Sequence, residues 1–148
     1  MFEIETIAEE LREVVADLDA ATYDGCDAAR LTEVCAEGER LFAAAKVLYA
    51  RRAVESNGWR SRDRVSVLPE DWFAKVSGCS SWQARDALKT AERLEDCPGT
   101  AAKVRDGSLS LHQASVVSKA VVLDPDAERR LLRTADRGEL RTLKEASE

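Results

Sequence analysis

The stretch WFAKVSGCSSWQA at residues 72–84 contains the clearest structural signal in the sequence. Ala74, Gly78 and Ala84 fall where a bacterial helix-turn-helix has a small residue at the helix crossing, a turn glycine and an apolar anchor of the second helix. Ser77 departs from this pattern, which usually has an apolar residue at that position. The spacing predicts two short helices joined by a glycine turn.

Start signals for both helices flank this turn. Pro69 suits the first helical position, because its missing N–H has no partner there in any helix. Ser80 and Gln83 have the spacing of a capping box, in which the two residues satisfy each other's backbone N–H groups. The first helix is therefore expected to begin at Pro69 and the second just after Ser80.

A glycine turn and a capping box occur again further along the chain. A turn is predicted at Gly107, and Ser110 with Gln113 again has the capping-box form. A last helix is expected to be interrupted near Gly138. Residues 69–148 are therefore predicted to form a compact multi-helix bundle that contains two short helix-turn-helix-like pairs.

Residues 1–57 carry two longer amphipathic patterns. Apolar residues recur at three- and four-residue steps across 3–21 and again across 31–52. With Asp27 as the expected N-cap of the second helix, these patterns predict a long helical hairpin. The hairpin can pack within one chain or form a homodimer through residues 3–52, and both alternatives stay open at this point.

Charge is distributed unevenly along the chain. Residues 1–40 contain 12 acidic and 3 basic residues, a net charge of −9, whereas residues 41–148 contain 16 acidic and 19 basic residues, a net charge of +3. The overall charge of −6 argues against a chain that wraps nucleic acid along its whole length. A local basic surface in the second part remains compatible with these counts.

The densest group of basic residues lies in and next to residues 58–68, which are expected to form a basic linker. The group surrounds Trp59 and consists of Arg51, Arg52, Arg60, Arg62 and Arg64. Contact with nucleic-acid phosphates is one interpretation. Pairing with the acidic N-terminal helix is the other.

The second helix of the 72–84 unit is expected to present several polar and aromatic side chains outward. They are Trp82, Gln83, Arg85, Lys89 and Arg93. Glutamine and arginine bind base edges, and lysine and arginine bind phosphates, so these residues are predicted double-stranded DNA contacts together with Arg60, Arg62 and Arg64. Asp86 opposes that interpretation, and a plain αα-corner with a solvated charged face is the alternative.

The sequence has no recognisable reactive constellation. The four cysteines, expected to be free buried thiols, form no CxxC pair, and His112 is the only histidine and is expected to be an ordinary surface or packing residue. No phosphate-binding loop, secretory signal or membrane-spanning run is visible. These features predict a cytoplasmic all-α module without catalytic, metal-binding or cofactor-binding residues and without a small-molecule substrate.

Several of these turns and caps occur together in one known family. The residues concerned are Phe73, Ala74, Gly78, Ser80, Ala84, Arg85, Ala87, Leu88, Leu94, Pro98, Thr100, Ala101, Val104, Gly107, Leu109, Ser110, Gln113 and Ala114. In order and spacing they resemble the actinobacterial domain of unknown function 222, a mycobacterial repeat family found ahead of HNH endonuclease domains. The resemblance covers roughly residues 28–140, and Ser77 and Cys97 depart from the family pattern.

This resemblance implies a role rather than a reaction. Family members often carry an HNH nuclease module nearer the C-terminus, so the chain is expected to be the DNA-binding or targeting part of a nuclease-like, mobile-element or phage-related protein. The apolar pattern still runs at residue 148, which is expected of a chain cut from a longer protein but also of a frayed terminus. The alternative function is protein interaction or dimerisation without DNA contact.

Overall fold

The computed structural model describes residues 1–137 and 140–148, and this part of the chain contains helices but no strand. The all-α class is therefore confirmed. The helices are α1 (Glu3–Ala16), α2 (Gly25–Glu55), α3 (Pro69–Ser77), α4 (Ser81–Arg93), α5 (Pro98–Arg105), α6 (Leu111–Leu123), α7 (Ala127–Arg137) and α8 (Leu140–Ser147). Short 3-10 turns occur at Ala20–Thr22, Gly58–Ser61 and Leu94–Asp96. The expected interruption near Gly138 lies outside the described residues.

The helices form two compact units, Met1–Cys35 and Ala36–Glu148. The division falls inside α2, and not near residue 57, where the sequence pattern placed the end of the hairpin. α2 is one uninterrupted helix of 31 residues, so the change in the sequence at residue 57 marks the end of a helix and not the edge of a unit. None of the described helices has the length and apolarity needed to cross a membrane.

The first unit has little core of its own. α1 has no buried residue, and it ends at Ala16 instead of extending to residue 21. Asp24, and not Asp27, caps α2, because the Asp24 carboxylate accepts the Asp27 N–H at 2.8 Å. The expected hairpin is thus not closed by a core between its helices. Cys26 and Cys35 are exposed, which corrects the prediction of four buried thiols.

The second unit is organised around α6, which packs against α4, α5, α7 and α8. Ala114 and Val117 of α6 are completely buried, as are Leu131 of α7 and Leu143 of α8. The small alanine lets the neighbouring helices approach closely, while the branched side chains fill the space between them. A second apolar cluster joins α2, α3 and α4 through residues including Val47, which is also completely buried.

Both predicted glycine turns and both capping boxes are confirmed. Gly78 and Gly107 have φ values of +70° and +80°, in the left-handed region that favours glycine. The Ser80 hydroxyl accepts the Gln83 N–H at 3.1 Å, and the Ser110 hydroxyl accepts the Gln113 N–H at 3.2 Å. These local signals determine where α4 and α6 begin.

Residues 58–68, expected to form a basic linker, fold into a loop that begins with the 3-10 turn at Gly58–Ser61. Trp59 is only 3% exposed and lies 6.1 Å from Trp72 between ring centroids. The Arg60 guanidinium stacks on Trp59 at 4.2 Å and donates to the carbonyl oxygens of Ser66 and Val67. A buried tryptophan thus anchors this loop.

Candidate nucleic-acid interface

The α3–α4 pair has the glycine turn and the buried small residues that the sequence predicts. Ala74 and Ala84, at 8% and 0% exposure, occupy the predicted crossing and anchor positions. The N–H groups of Gly78 and Cys79 both donate to the Ala74 carbonyl, at 2.9 and 3.1 Å, and so close the end of α3. The turn is therefore rigidly defined by backbone hydrogen bonds, and it orients α4 against α3.

The outer face of α4 carries the exposed residues of the pair. Trp82 is 68% exposed, and Arg85 and Lys89 follow at helical spacing on the same face. Arg85 lies 3.5 Å from Glu70 between Nε and Oε1, and half of its side chain remains exposed. Because an exposed ion pair of this kind contributes little to stability, Arg85 can exchange Glu70 for an external anion at low cost.

A cleft of about 620 Å³ borders this face. Its charged lining consists of Arg51, Glu55, Glu70, Arg85, Lys89 and Glu92, three basic and three acidic residues. Such a balanced lining does not select an anion inside the cleft. We therefore expect phosphate to contact the exposed parts of Arg85 and Lys89, outside the cleft.

Two of the predicted DNA-contact residues on α4 form hydrogen bonds within the protein. The Gln83 side-chain oxygen accepts the Ser80 N–H at 3.0 Å as part of the capping box. Arg93 is half-buried and donates to the hydroxyls of Ser118 at 3.0 Å and Thr90 at 3.1 Å. The prediction that Arg93 points outward was wrong, because its position on α4 faces α6.

Asp86, expected to oppose DNA binding, is paired within the protein. Its carboxylate lies 2.8 Å from Lys119 and accepts the Ser115 hydroxyl at 3.1 Å. Burial by itself raises the pKa of Asp86, but the Lys119 and Ser115 contacts outweigh it, so the pKa is lowered from its ordinary value. The carboxylate stays ionised, and its charge is offset by Lys119.

The basic group around Trp59 is divided into structural and exposed members. Arg51 contacts Glu55 at 2.8 Å and Glu95 at 2.9 Å and donates to the Ala91 carbonyl, so it joins α2 to the end of α4. Burial by itself lowers the pKa of Arg51, but these two carboxylates outweigh it and raise the pKa. The acidic partners of Arg51 therefore come from α2 itself and from the turn after α4.

Among the predicted linker contacts, Arg60 is engaged by Trp59 and the loop carbonyls described above. Arg62 and Arg64 are exposed, and neither forms an ion pair within the part of the chain that the structure describes. The Asp63 carboxylate between them accepts the N–H groups of Val65 and Ser66, both at 2.9 Å. Hydrogen bonding from Ser66 is the main cause that lowers the pKa of Asp63 well below its ordinary value.

Trp82 also lines a small hollow of about 170 Å³. Phe73, Ser77 and His112 are among its lining residues, and Lys46 lies 5.6 Å from the centre of the Phe73 ring. The hydroxyl oxygen of Ser77 is buried and has no hydrogen-bond partner among the described residues. His112 is exposed at the surface, as expected.

The sequence interpretation missed a second basic surface. Arg129, Arg130, Arg133 and Arg137 are all exposed on α7. Arg130, Arg133 and Arg137 follow one another at steps of three and four residues in the sequence, beside the leucines of the last predicted helix. Within the described residues, no group of three or more histidine, cysteine or acidic side chains is arranged to hold a metal ion.

Comparisons with protein-family models, curated proteins and solved structures gave no match to this chain. The resemblance to the domain of unknown function 222 therefore stays a prediction that rests on the motifs quoted above. Two physical features bear on function: the exposed face of α4 after its glycine turn, and the exposed basic residues that form no ion pair within residues 1–137 and 140–148.

Proposed function

We propose that the α3–α4 pair is a helix-turn-helix-like module that binds duplex DNA, with α4 in contact with the duplex. The observation that carries this proposal is the exposed face of α4, where Trp82, Arg85 and Lys89 lie together after the left-handed glycine turn at Gly78. Arginine and lysine bind phosphate oxygens and base edges, and a helix fits the major groove. Arg62 and Arg64 supply further exposed positive charge.

The resemblance noted in the sequence extends this proposal to a larger protein. A chain of the domain of unknown function 222 family would position an HNH endonuclease domain on DNA in the cytoplasm of an actinobacterium, or in a phage or mobile element. In this proposal the module is non-catalytic and its partner is double-stranded DNA. The acidic residues of 1–40 then serve solubility or protein contact and not DNA binding.

The double substitution Arg85→Gln with Lys89→Gln is expected to weaken DNA binding about tenfold or more. Each substitution removes a positive charge from the exposed face of α4, and glutamine keeps the helix propensity nearly unchanged. The affinity is measured by fluorescence anisotropy with a labelled duplex at low salt, where phosphate contacts are strongest.

A matched control separates the site from net charge. Arg12→Gln with Arg30→Gln removes the same two charges from exposed positions in the acidic segment, and this variant should bind as the unchanged protein does. Equal losses in both double variants would mean that only net charge matters. No binding by the unchanged chain at low salt would contradict DNA binding altogether.

A second candidate function is homodimerisation through residues 3–52, and the observation that favours it is an exposed apolar stripe. The stripe lies on α1 and the turn after it, and its side chains are 47–64% exposed: Ile7, Leu11, Val14, Val15 and Leu18. Burying such a stripe against a second copy would remove apolar surface from water. Because residues 1–40 carry a net charge of −9, two copies would also repel each other.

This repulsion gives the dimer a distinctive salt dependence. Added salt screens the acidic segments and should strengthen the dimer, whereas it should weaken DNA binding. Light scattering at low and high salt measures the effect on the full chain. Leu11→Glu, on the stripe, should keep the chain monomeric, while Thr6→Glu adds the same charge off the stripe and should have little effect. A monomer under all conditions would refute this candidate.

A further inference from the structure

α7 carries four arginines on one side. Arg129, Arg130, Arg133 and Arg137 fall within about 100° of the helix circumference, because an α-helix turns once in 3.6 residues. All four side chains are exposed. We call this set the arginine stripe.

The acidic residues of α7 do not neutralise the arginine stripe, because they are used elsewhere in the fold. One carboxylate oxygen of Glu128 accepts the Thr100 N–H at 2.7 Å and the Thr100 hydroxyl at 2.9 Å. Asp136 pairs with Lys103 of α5 at 3.1 Å. The two carboxylates thus tie α7 to α5. Asp136 remains about half exposed beside the arginine stripe, but its charge is offset by Lys103.

Within the described part of the chain, the arginines of the stripe have almost no internal partners. Arg130 donates to the Ala146 carbonyl of α8 at 3.0 Å. Across residues 1–137 and 140–148, no carboxylate forms an ion pair with Arg129, Arg133 or Arg137. Three guanidinium groups are therefore available to an external anion.

This arrangement is unfavourable for the isolated helix. Arg129 with Arg133 and Arg133 with Arg137 are like charges four residues apart, which repel each other on a helix surface. Arg129 and Arg130 also lie near the start of α7, where the helix dipole disfavours positive charge. An anion bound along the stripe would relieve both effects.

We propose that the arginine stripe is a second DNA-binding surface, which contacts the phosphate backbone of a duplex without reading its sequence. Successive free arginines are separated by ~6 Å along the helix axis and the three span ~12 Å, at a rise of 1.5 Å per residue. One DNA strand has a phosphate every ~3.4 Å along the duplex axis. The phosphates are therefore spaced closely enough for each of the three guanidinium groups to reach one. Arginine also matches phosphate with two parallel N–H donors.

Lipid and protein partners fit this surface less well. A membrane-surface helix inserts its apolar side into the lipid, but the apolar side of α7 is already buried, with Leu131 at 0% and Leu132 at 8% exposure. The exposed side of α7 has no aliphatic or aromatic residue to anchor a protein interface, among the residues that the structure describes. A regular array of phosphates remains the best complement.

The test measures DNA affinity against salt concentration for unrelated duplex sequences, with three double variants of the full chain. Arg129→Gln with Arg133→Gln removes two charges from the stripe, and it is compared with the α4 variant and the Arg12/Arg30 control described above. The stripe variant should lose roughly tenfold in affinity equally on every sequence, and its log–log salt slope should fall by about 1.8, because each phosphate contact contributes about 0.9. Circular dichroism checks that each variant is folded.

The outcomes separate this inference from the function proposed for α4. A stripe variant that behaves like the control overturns the inference, even when the α4 variant loses affinity. Loss in the stripe variant alone supports the inference and refutes the α4 site. Unchanged DNA affinity, with loss of binding to anionic lipid vesicles or to a second copy of the chain, also overturns it. Absence of DNA binding by the unchanged chain overturns both proposals.

Discussion

Replacing Trp59 by alanine is expected to destabilise the protein by about 3–5 kcal/mol, the usual cost of removing a buried tryptophan. Trp59 is 3% exposed, and its ring contacts both Trp72 and the Arg60 guanidinium. Its removal leaves a cavity and releases Arg60, whose hydrogen bonds to Ser66 and Val67 hold the loop. We expect the midpoint of thermal unfolding to fall by roughly 10 °C or more, measured by far-UV circular dichroism.

Trp82 is the matched control for this experiment. It is the same residue type but is 68% exposed on α4, so Trp82→Ala should change the stability by no more than about 0.5 kcal/mol. The unfolding curves of the two variants should therefore differ clearly. Equal unfolding midpoints would show that Trp59 does not anchor the loop. Residues 58–68 would then contribute no more to the stability of the protein than an unstructured linker does.

Local signals explain why much of the fold could be predicted from the sequence. The turns at Gly78 and Gly107 and the Ser–x–x–Gln helix starts depend on residues within a few positions of each other. Helix α1 was predicted too long, because its apolar spacing continues beyond Ala16 although the backbone does not. A residue such as Asp19, which accepts the Ala21 N–H, stabilises a separate turn there.

The candidate site was harder to predict because its side chains depend on distant partners. Arg93 meets Ser118, 25 residues away, and Asp86 meets Lys119 on the same helix as Ser118. Helical spacing shows which side of α4 a residue occupies, but not which helix covers that side. The exposed positions of Trp82 and Arg85 agree with the sequence prediction, because among the described residues no helix covers that face of α4.

Gly107→Ala is expected to cost about 2–5 kcal/mol, from a conformational effect and a packing effect that act together. Its φ of +80° lies in the left-handed region, which costs a residue with a Cβ about 1–2 kcal/mol. An added Cβ would lie 3.0 Å from Leu41 Cγ and 3.2 Å from Glu37 Cγ on α2, and overpacking of this kind typically costs about 1–3 kcal/mol. Urea unfolding followed by circular dichroism measures the loss.

Gly78→Ala isolates the packing effect. Gly78 has nearly the same backbone conformation, with φ of +70°, but an added Cβ there would meet no atom within 4 Å. Alanine restricts the unfolded chain equally at both positions, so that contribution cancels in the comparison. The Gly107 variant should therefore lose more stability than the Gly78 variant, and Leu41→Ala should recover part of the difference when combined with Gly107→Ala. Equal losses, or no recovery with Leu41→Ala, would mean that α2 does not press on the Gly107 turn. In that case the turn would be held by its own backbone, together with the hydrogen bond that Arg40 donates to the Gly107 carbonyl.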